Sequence, residues 1–112
     1  MNEKMVSALN NQIKNEFYSH NVYLSMAGYF EGLELKGFAA WFRAQAKEEL
    51  EHGMKIFNFL IERNIDPKIL AIDAPAHEWN SPTQVFQEAL RHEEKVTKMI
   101  NELYELSINE KD

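Results

Sequence analysis

The 112-residue sequence contains no cysteine. This excludes disulfides, thiolate metal sites and cysteine catalysis together, and it is compatible with a reducing cytosol. Any metal must be held by oxygen and nitrogen ligands. No apolar run approaches the roughly 20 residues that a membrane span needs, and the opening MNEKMVSALNNQIKNE is too polar for a secretion signal. Basic residues are scattered rather than clustered and the formal net charge is −6, so the chain has no electrostatic footprint for nucleic acid or an anionic membrane. These absences point to a cytoplasmic protein. Strand patterns, internal repeats and low-complexity segments are lacking as well.

What is present suffices for one globular domain over residues 1–112: 45% of the residues are hydrophobic and 12% aromatic, and the length allows a core of modest stability. The first helix is expected from Asn2, a plausible N-cap, to the GLELKG segment, with Val6, Leu9, Ile13, Phe17, Leu24, Ala27 and Phe30 at helical spacing. A second is expected after Gly37, through Phe38, Trp41, Phe42, Gln45, Ala46, Gly53, Ile56 and Leu60, stopping near Asn64. The third should open at Ser81-Pro82 with Gln84 closing a capping box, carry Val85, Phe86, Ala89, Leu90, Val96, Ile100, Leu103 and Tyr104, and end near Ile108. Helices this long suggest an all-α bundle. The link GLELKG is short, so helices one and two should lie antiparallel. The link IDPKILAIDAPAHEWN can extend to roughly 50 Å, enough to run the length of the second helix and leave helices two and three parallel.

Charge sits on the apolar stripes. On helix one, Leu9, Ile13, Glu16, His20, Tyr23 or Leu24, and Ala27 follow steps of three and four, which turns Glu16 inward. On helix two the stripe holds Glu49 with His52 one turn on, and on helix three it holds Glu93 between Leu90 and Val96. Each helix is thus expected to bury one glutamate. An unpaired buried carboxylate costs several kcal/mol, and Lys14, Arg43, Lys47, Lys55, Arg91, Lys95 and Lys98 mostly fall off these stripes. Glu49 lies 12 residues after Gly37 and Glu93 lies 12 after Ser81, so the three carboxylates should meet near mid-bundle. A metal is the remaining counter-charge. Carboxylates with one imidazole suit iron or manganese, and zinc would also be accepted.

The segments LNNQIKNEFYSHNVYLSMAGYFE, GFAAWFRAQAKEELEHGMKIFNFLIERN and FQEALRHEEKVTKMINEL, with an isolated Glu, a Glu-x-x-His and a second isolated Glu in order, resemble the bacterial non-haem ferritins across nearly the whole chain. The resemblance implies a ferritin-like helical bundle with a long crossover between the second and third helices. It implies a di-iron site in which Glu16, Glu49 and His52 hold one iron, Glu49 and Glu93 the other, Tyr23 stands beside the centre, and Glu48 belongs to an accessory third site. It further implies a ferroxidase that oxidises Fe(II) with O2 and stores Fe(III) as mineral inside a homo-oligomeric cage of 24 subunits. Leu50 stands where bacterioferritins carry a haem-ligating methionine, so no haem is expected. Family members continue into a fourth helix, whereas this sequence closes at INEKD, about where the turn into that helix would start; the resemblance therefore implies a bundle lacking its fourth helix. A different reading is a non-catalytic helical module that self-associates.

Other residues have plainer readings. His20, His77 and His92 read as surface or packing residues, Met26, Met54 and Met99 as core filler, and Phe38, Trp41 and Phe42 as core and subunit contacts. By residue type alone, Glu48 is also an ordinary surface charge.

Overall fold

Three uninterrupted helices make up most of residues 1–110, the part of the chain that this computed structural model describes; the last two residues of INEKD lie outside it. Asn2 caps α1 (Glu3–Gly32), its Oδ1 accepting the Met5 N–H at 2.8 Å. The helix closes on a Schellman turn. Glu34 takes the left-handed position at φ 61°, and the N–H of Leu35 reaches back to the Phe30 carbonyl at 3.0 Å. α2 (Lys36–Glu62) starts at once, slightly earlier than its sequence pattern suggests, because that turn already delivers the chain in helical direction. Its own end repeats the motif, with Asn64 at φ 60° and the Ile65 N–H on the Leu60 carbonyl at 3.0 Å.

α3 (Pro82–Asn109) opens on Ser81, whose Oγ accepts the Gln84 N–H at 3.2 Å. The expected capping box is offset by one residue: the Gln84 side chain accepts the Asn80 N–H at 2.7 Å instead of that of Ser81.

The crossover is tied to α1 at successive heights. The Lys68 N–H donates to Asn10 Oδ1 at 3.0 Å, the Ser25 hydroxyl donates to the Ala76 carbonyl at 2.6 Å, and the Trp79 ring stands edge-on to Tyr29 while its indole N–H donates to Glu88. The link therefore climbs along α1, and α3 returns antiparallel to it. At the far end Glu110 meets Asn2 at 3.2 Å and Lys4 at 3.4 Å. Helices α2 and α3 run parallel in a bundle 47 Å long.

α1 carries both halves of the core. Toward its C-terminal end Tyr23, Met26 and Phe30 pack with Ala39 and Phe42 of α2 and with Val85 of α3; toward its N-terminal end Met5, Leu9 and Ile13 close on Leu60. α3 packs on α1 and meets α2 through rings at one end, Phe86 standing 5.1 Å from Phe38 and 5.5 Å from Phe42. Its stripe is consequently only half covered. α1 takes Val85, Ala89 and Val96, but Leu90 stays 63% and Tyr104 66% exposed, and Phe86 and Ile100 are exposed too, contrary to the inward placement expected for them. The reason is geometric: a bundle stripe is wide enough for two neighbours, and one is supplied here. Phe38, Trp41, Leu24 and Met54 are likewise exposed rather than core, whereas Phe42 and Met26 are buried and Met99 is half-buried.

Gly53 sets the approach of α1 to α2 beside the centre of the bundle. A Cβ there would lie 2.5 Å and 2.7 Å from ring atoms of Phe17 and 3.4 Å from the Glu16 Cβ. The Phe17 ring therefore lies against bare backbone. Gly53→Ala is expected to lower stability by about 1–3 kcal/mol through overpacking, read as a reduced urea midpoint; an unchanged midpoint would mean the two helices do not approach this closely.

Candidate metal centre

Glu16 sits near the middle of α1, and Glu49 and His52 stand one turn apart on α2. Antiparallel packing brings the three together. Glu16 is 3% and Glu49 7% exposed, and one donor atom from each of Glu16, Glu49 and His52 falls within 4.8 Å of the others. His52 Nδ1 lies 3.6 Å from Glu16 Oε2 and 3.6 Å from Glu49 Oε2. Those gaps exceed a hydrogen bond of about 2.7–3.2 Å. Atoms bound to one ion at about 2.1 Å lie roughly 3 to 4 Å apart, so the spacing matches a shared cation. His52 is itself exposed, contrary to its expected inward placement, because no described helix packs over that side of α2; its Nδ1 edge alone turns toward the carboxylates.

Both carboxylates carry an orphan. Glu16 Oε2 and Glu49 Oε2 are buried and have no hydrogen-bond partner, and among the described residues neither carboxylate pairs with a lysine or arginine. Leaving such an oxygen unsatisfied costs about 1–3 kcal/mol or more for a charged group. The strain shows in Glu49, whose carboxyl is held up to about 8, first by burial and then by the neighbouring carboxylates of Glu16, Glu93 and Glu48. A divalent cation fits this donor set, two carboxylates and an imidazole whose donor atoms lie within 4.8 Å of one another.

Glu93 is placed differently from its expectation. It is exposed on α3 and does not join the converging donor atoms of Glu16, Glu49 and His52. Two helices bury a glutamate rather than three, because the side of α3 that carries Glu93 has α1 on one flank only. Glu93 is nevertheless tied to the centre, since the buried Tyr23 hydroxyl donates to its Oε1. Burial, that hydrogen bond and the adjacent carboxylates push the Tyr23 phenol far above its ordinary range, so it keeps its proton and acts as a donor. Glu48 is exposed and stands outside the cluster.

Several polar residues matter here that their types did not single out. Gln12 is buried and donates from Nε2 to Glu16 Oε1 at 3.0 Å; the i, i+4 spacing of Gln and Glu on one helix was the available signal. Buried Ser19 bonds His92 Nε2 at 2.8 Å, and His92 stands edge-on to Tyr23. Burial holds His92 below the usual imidazole range, which keeps it neutral. His20 donates from Nδ1 to the Ala46 carbonyl at 2.8 Å, and His77 is exposed.

A bundle of long helices with a lengthwise crossover and facing carboxylates in its middle defines the ferritin-like class of helical protein. The chain belongs to the ferritin-like domain family, whose sequence pattern matches residues 6–112. It is 37% identical over 112 residues to a bacterial non-heme ferritin of Bacteroides fragilis, covering 100% of this chain and 70% of that protein. It is 38% identical to a probable bacterial non-heme ferritin-like protein of Haemophilus influenzae, covering 68% of it. Among solved structures, the open pore ferritin of the hyperthermophilic archaeon Archaeoglobus fulgidus superposes with a TM-score of 0.95 at 50% identity, over 100% of this chain and 68% of that one.

Glu49 makes the metal-free protein pH-sensitive. Unfolded, its carboxyl loses its proton near 4.5; folded, it holds it to about 8. Between those values the folded state binds more protons, so its stability falls as pH rises and levels off above about 8. The melting temperature of metal-free protein should therefore be lower at pH 8 than at pH 5.5, with a shallower decline in Glu49→Gln. Equal slopes in the two proteins would remove this account of Glu49.

Proposed function

We propose that this chain binds and oxidises iron as a subunit of an iron-storing ferritin. The observation that carries the reading is the pair of buried, unpartnered oxygens, Glu16 Oε2 and Glu49 Oε2, facing each other and His52 with no cationic side chain between them. In this reading Glu16, Glu49 and His52 hold one Fe(II), and Glu49 and Glu93 take the second, with Tyr23 orienting the Glu93 carboxylate through its hydroxyl. Oxygen ligands favour Fe(III) over Fe(II), and a pair of irons lets O2 take more than one electron in a single encounter. Exposed Glu48 serves as an outer station on the way to a mineral store. Likeness to proteins named non-heme ferritins supports iron as the cargo, and no described helix is long and apolar enough to cross a membrane, which suits a store held in the cytoplasm.

Copies of the chain associate in this reading. The exposed stripe of Leu90, Ile100 and Tyr104 on α3 gives the main support, since an apolar surface of this kind favours burial against another molecule. The same feature also favours a second reading, a helical assembly module without turnover.

Mixing anaerobic protein with Fe(II), admitting O2 and following Fe(III) absorbance decides between them. Oxidation faster than in buffer, and reduced at least tenfold in Glu49→Ala, is the expected result. Light scattering that reports assembly without any oxidation above the buffer rate would leave the module reading.

A further inference from the structure

We propose that Gln12 is a positioning residue that selects which oxygen of Glu16 faces the metal. This rests on the metal-binding reading of Glu16, Glu49 and His52. Gln12 and Glu16 lie one turn apart on α1 and are 4% and 3% exposed, so their contact is made without competing solvent. The amide nitrogen of Gln12 donates to Glu16 Oε1 at 3.0 Å. The two oxygens are thereby made unequal. Oε1 is occupied by a neutral donor, while Oε2 has no partner and points to His52 Nδ1 at 3.6 Å.

A glutamate has three rotatable bonds, and an unheld carboxylate could turn either oxygen, or both, toward a cation. One buried hydrogen bond from the preceding turn removes that freedom. It leaves a single-oxygen ligand on the α1 side of the centre, opposite Glu49 on α2. Gln12 is neutral, so it satisfies one oxygen of Glu16 without bringing a positive charge that would oppose a cation. Lysine at position 12 could satisfy the same oxygen but would bring a positive charge to the site. Gln12 achieves the orientation alone.

Hydrogen bonds that orient a metal ligand typically contribute 10- to 100-fold in affinity, which makes this role separable from simple packing. The test uses the full chain under argon with Co(II) as the probe. Binding is measured by competition with a chelator and coordination by the visible absorption of bound Co(II). Gln12→Met, close to the native volume but unable to donate, should weaken Co(II) binding 10- to 100-fold and change the band intensities. Gln12→Asn, whose amide is one methylene too short to reach Glu16, should behave alike and serves should the first variant fold poorly. In a Glu16→Ala background neither change should weaken binding further.

Wild-type Co(II) binding with Gln12→Met and Gln12→Asn within twofold of it and spectrally unchanged would overturn the positioning role while leaving the metal centre standing. Failure of the unsubstituted protein to bind Co(II) would overturn the metal centre itself, and this role with it.

Discussion

Two acidic side chains, Glu16 and Glu49, are held face to face in the interface between α1 and α2, and the rest of the chain is arranged around that conflict. Burial makes it costly to ionise both at once, because the interior screens charge far less than water does, and Glu49 accordingly keeps its proton up to about pH 8. The pair is kept in place by apolar packing on either side of it along the bundle axis. Tyr23, Phe30 and Phe42 close one end, and Met5, Ile13 and Leu60 the other. Those clusters offset the cost of the polar middle. Gly53 lets Phe17 lie against α2 next to Glu16, which brings the two helices close beside the acidic pair. The result is a packed frame around a pair of buried acidic groups with unpartnered oxygens.

α3 is joined to this frame more lightly. The crossover, pinned at Asn10, Ser25 and Tyr29 of α1, sets the register in which Glu93 arrives opposite Tyr23. Each pin is a single polar or aromatic contact on α1, and Phe86 against Phe38 and Phe42 adds a contact with α2. Buried Asn10 illustrates the economy of this: its side chain satisfies a backbone N–H that the extended crossover could not pair by itself. Beyond Val85, Ala89 and Val96, α3 is held by Phe86 at one end and by partly buried Leu103 and Leu106 at the other, while Leu90, Ile100, Tyr104 and the carboxylate of Glu93 stay exposed.

The helices and their caps were legible because they are local: Asn2, Ser81-Pro82 and the 3.6-residue period act within a few residues of themselves. The parallel course of α2 and α3 was also legible, since chain length fixes what a link can reach. Glu16 and Glu49 could be turned inward from periodicity alone because each lies between two apolar steps of its own helix, and α1 and α2 cover each other. The same inference overshot for Glu93, Phe86, Leu90, Ile100 and Tyr104. Periodicity reports the face a helix prepares for burial, but whether a neighbour covers that face is a property of the packing. Gln12 was obscured for the opposite reason. Its type reads as surface, and its role comes from a specific partner that spacing permits but does not require.

Burial also ranks the two ion positions that the carboxylates could form. Between Glu16 and Glu49 a cation would give partners to two unpartnered buried oxygens and displace the proton that Glu49 keeps, so its attraction is opposed by proton release below about pH 8. Beside Glu93 it would face an exposed carboxylate whose field is weakened by water and salt. Tyr23 sharpens the contrast, because its donated proton already occupies part of the Glu93 acceptor capacity. The two positions are therefore unequal before any ion arrives. On the proposed reading, the position enclosed by α1 and α2 would be the stronger, and the one that depends on α3 the weaker.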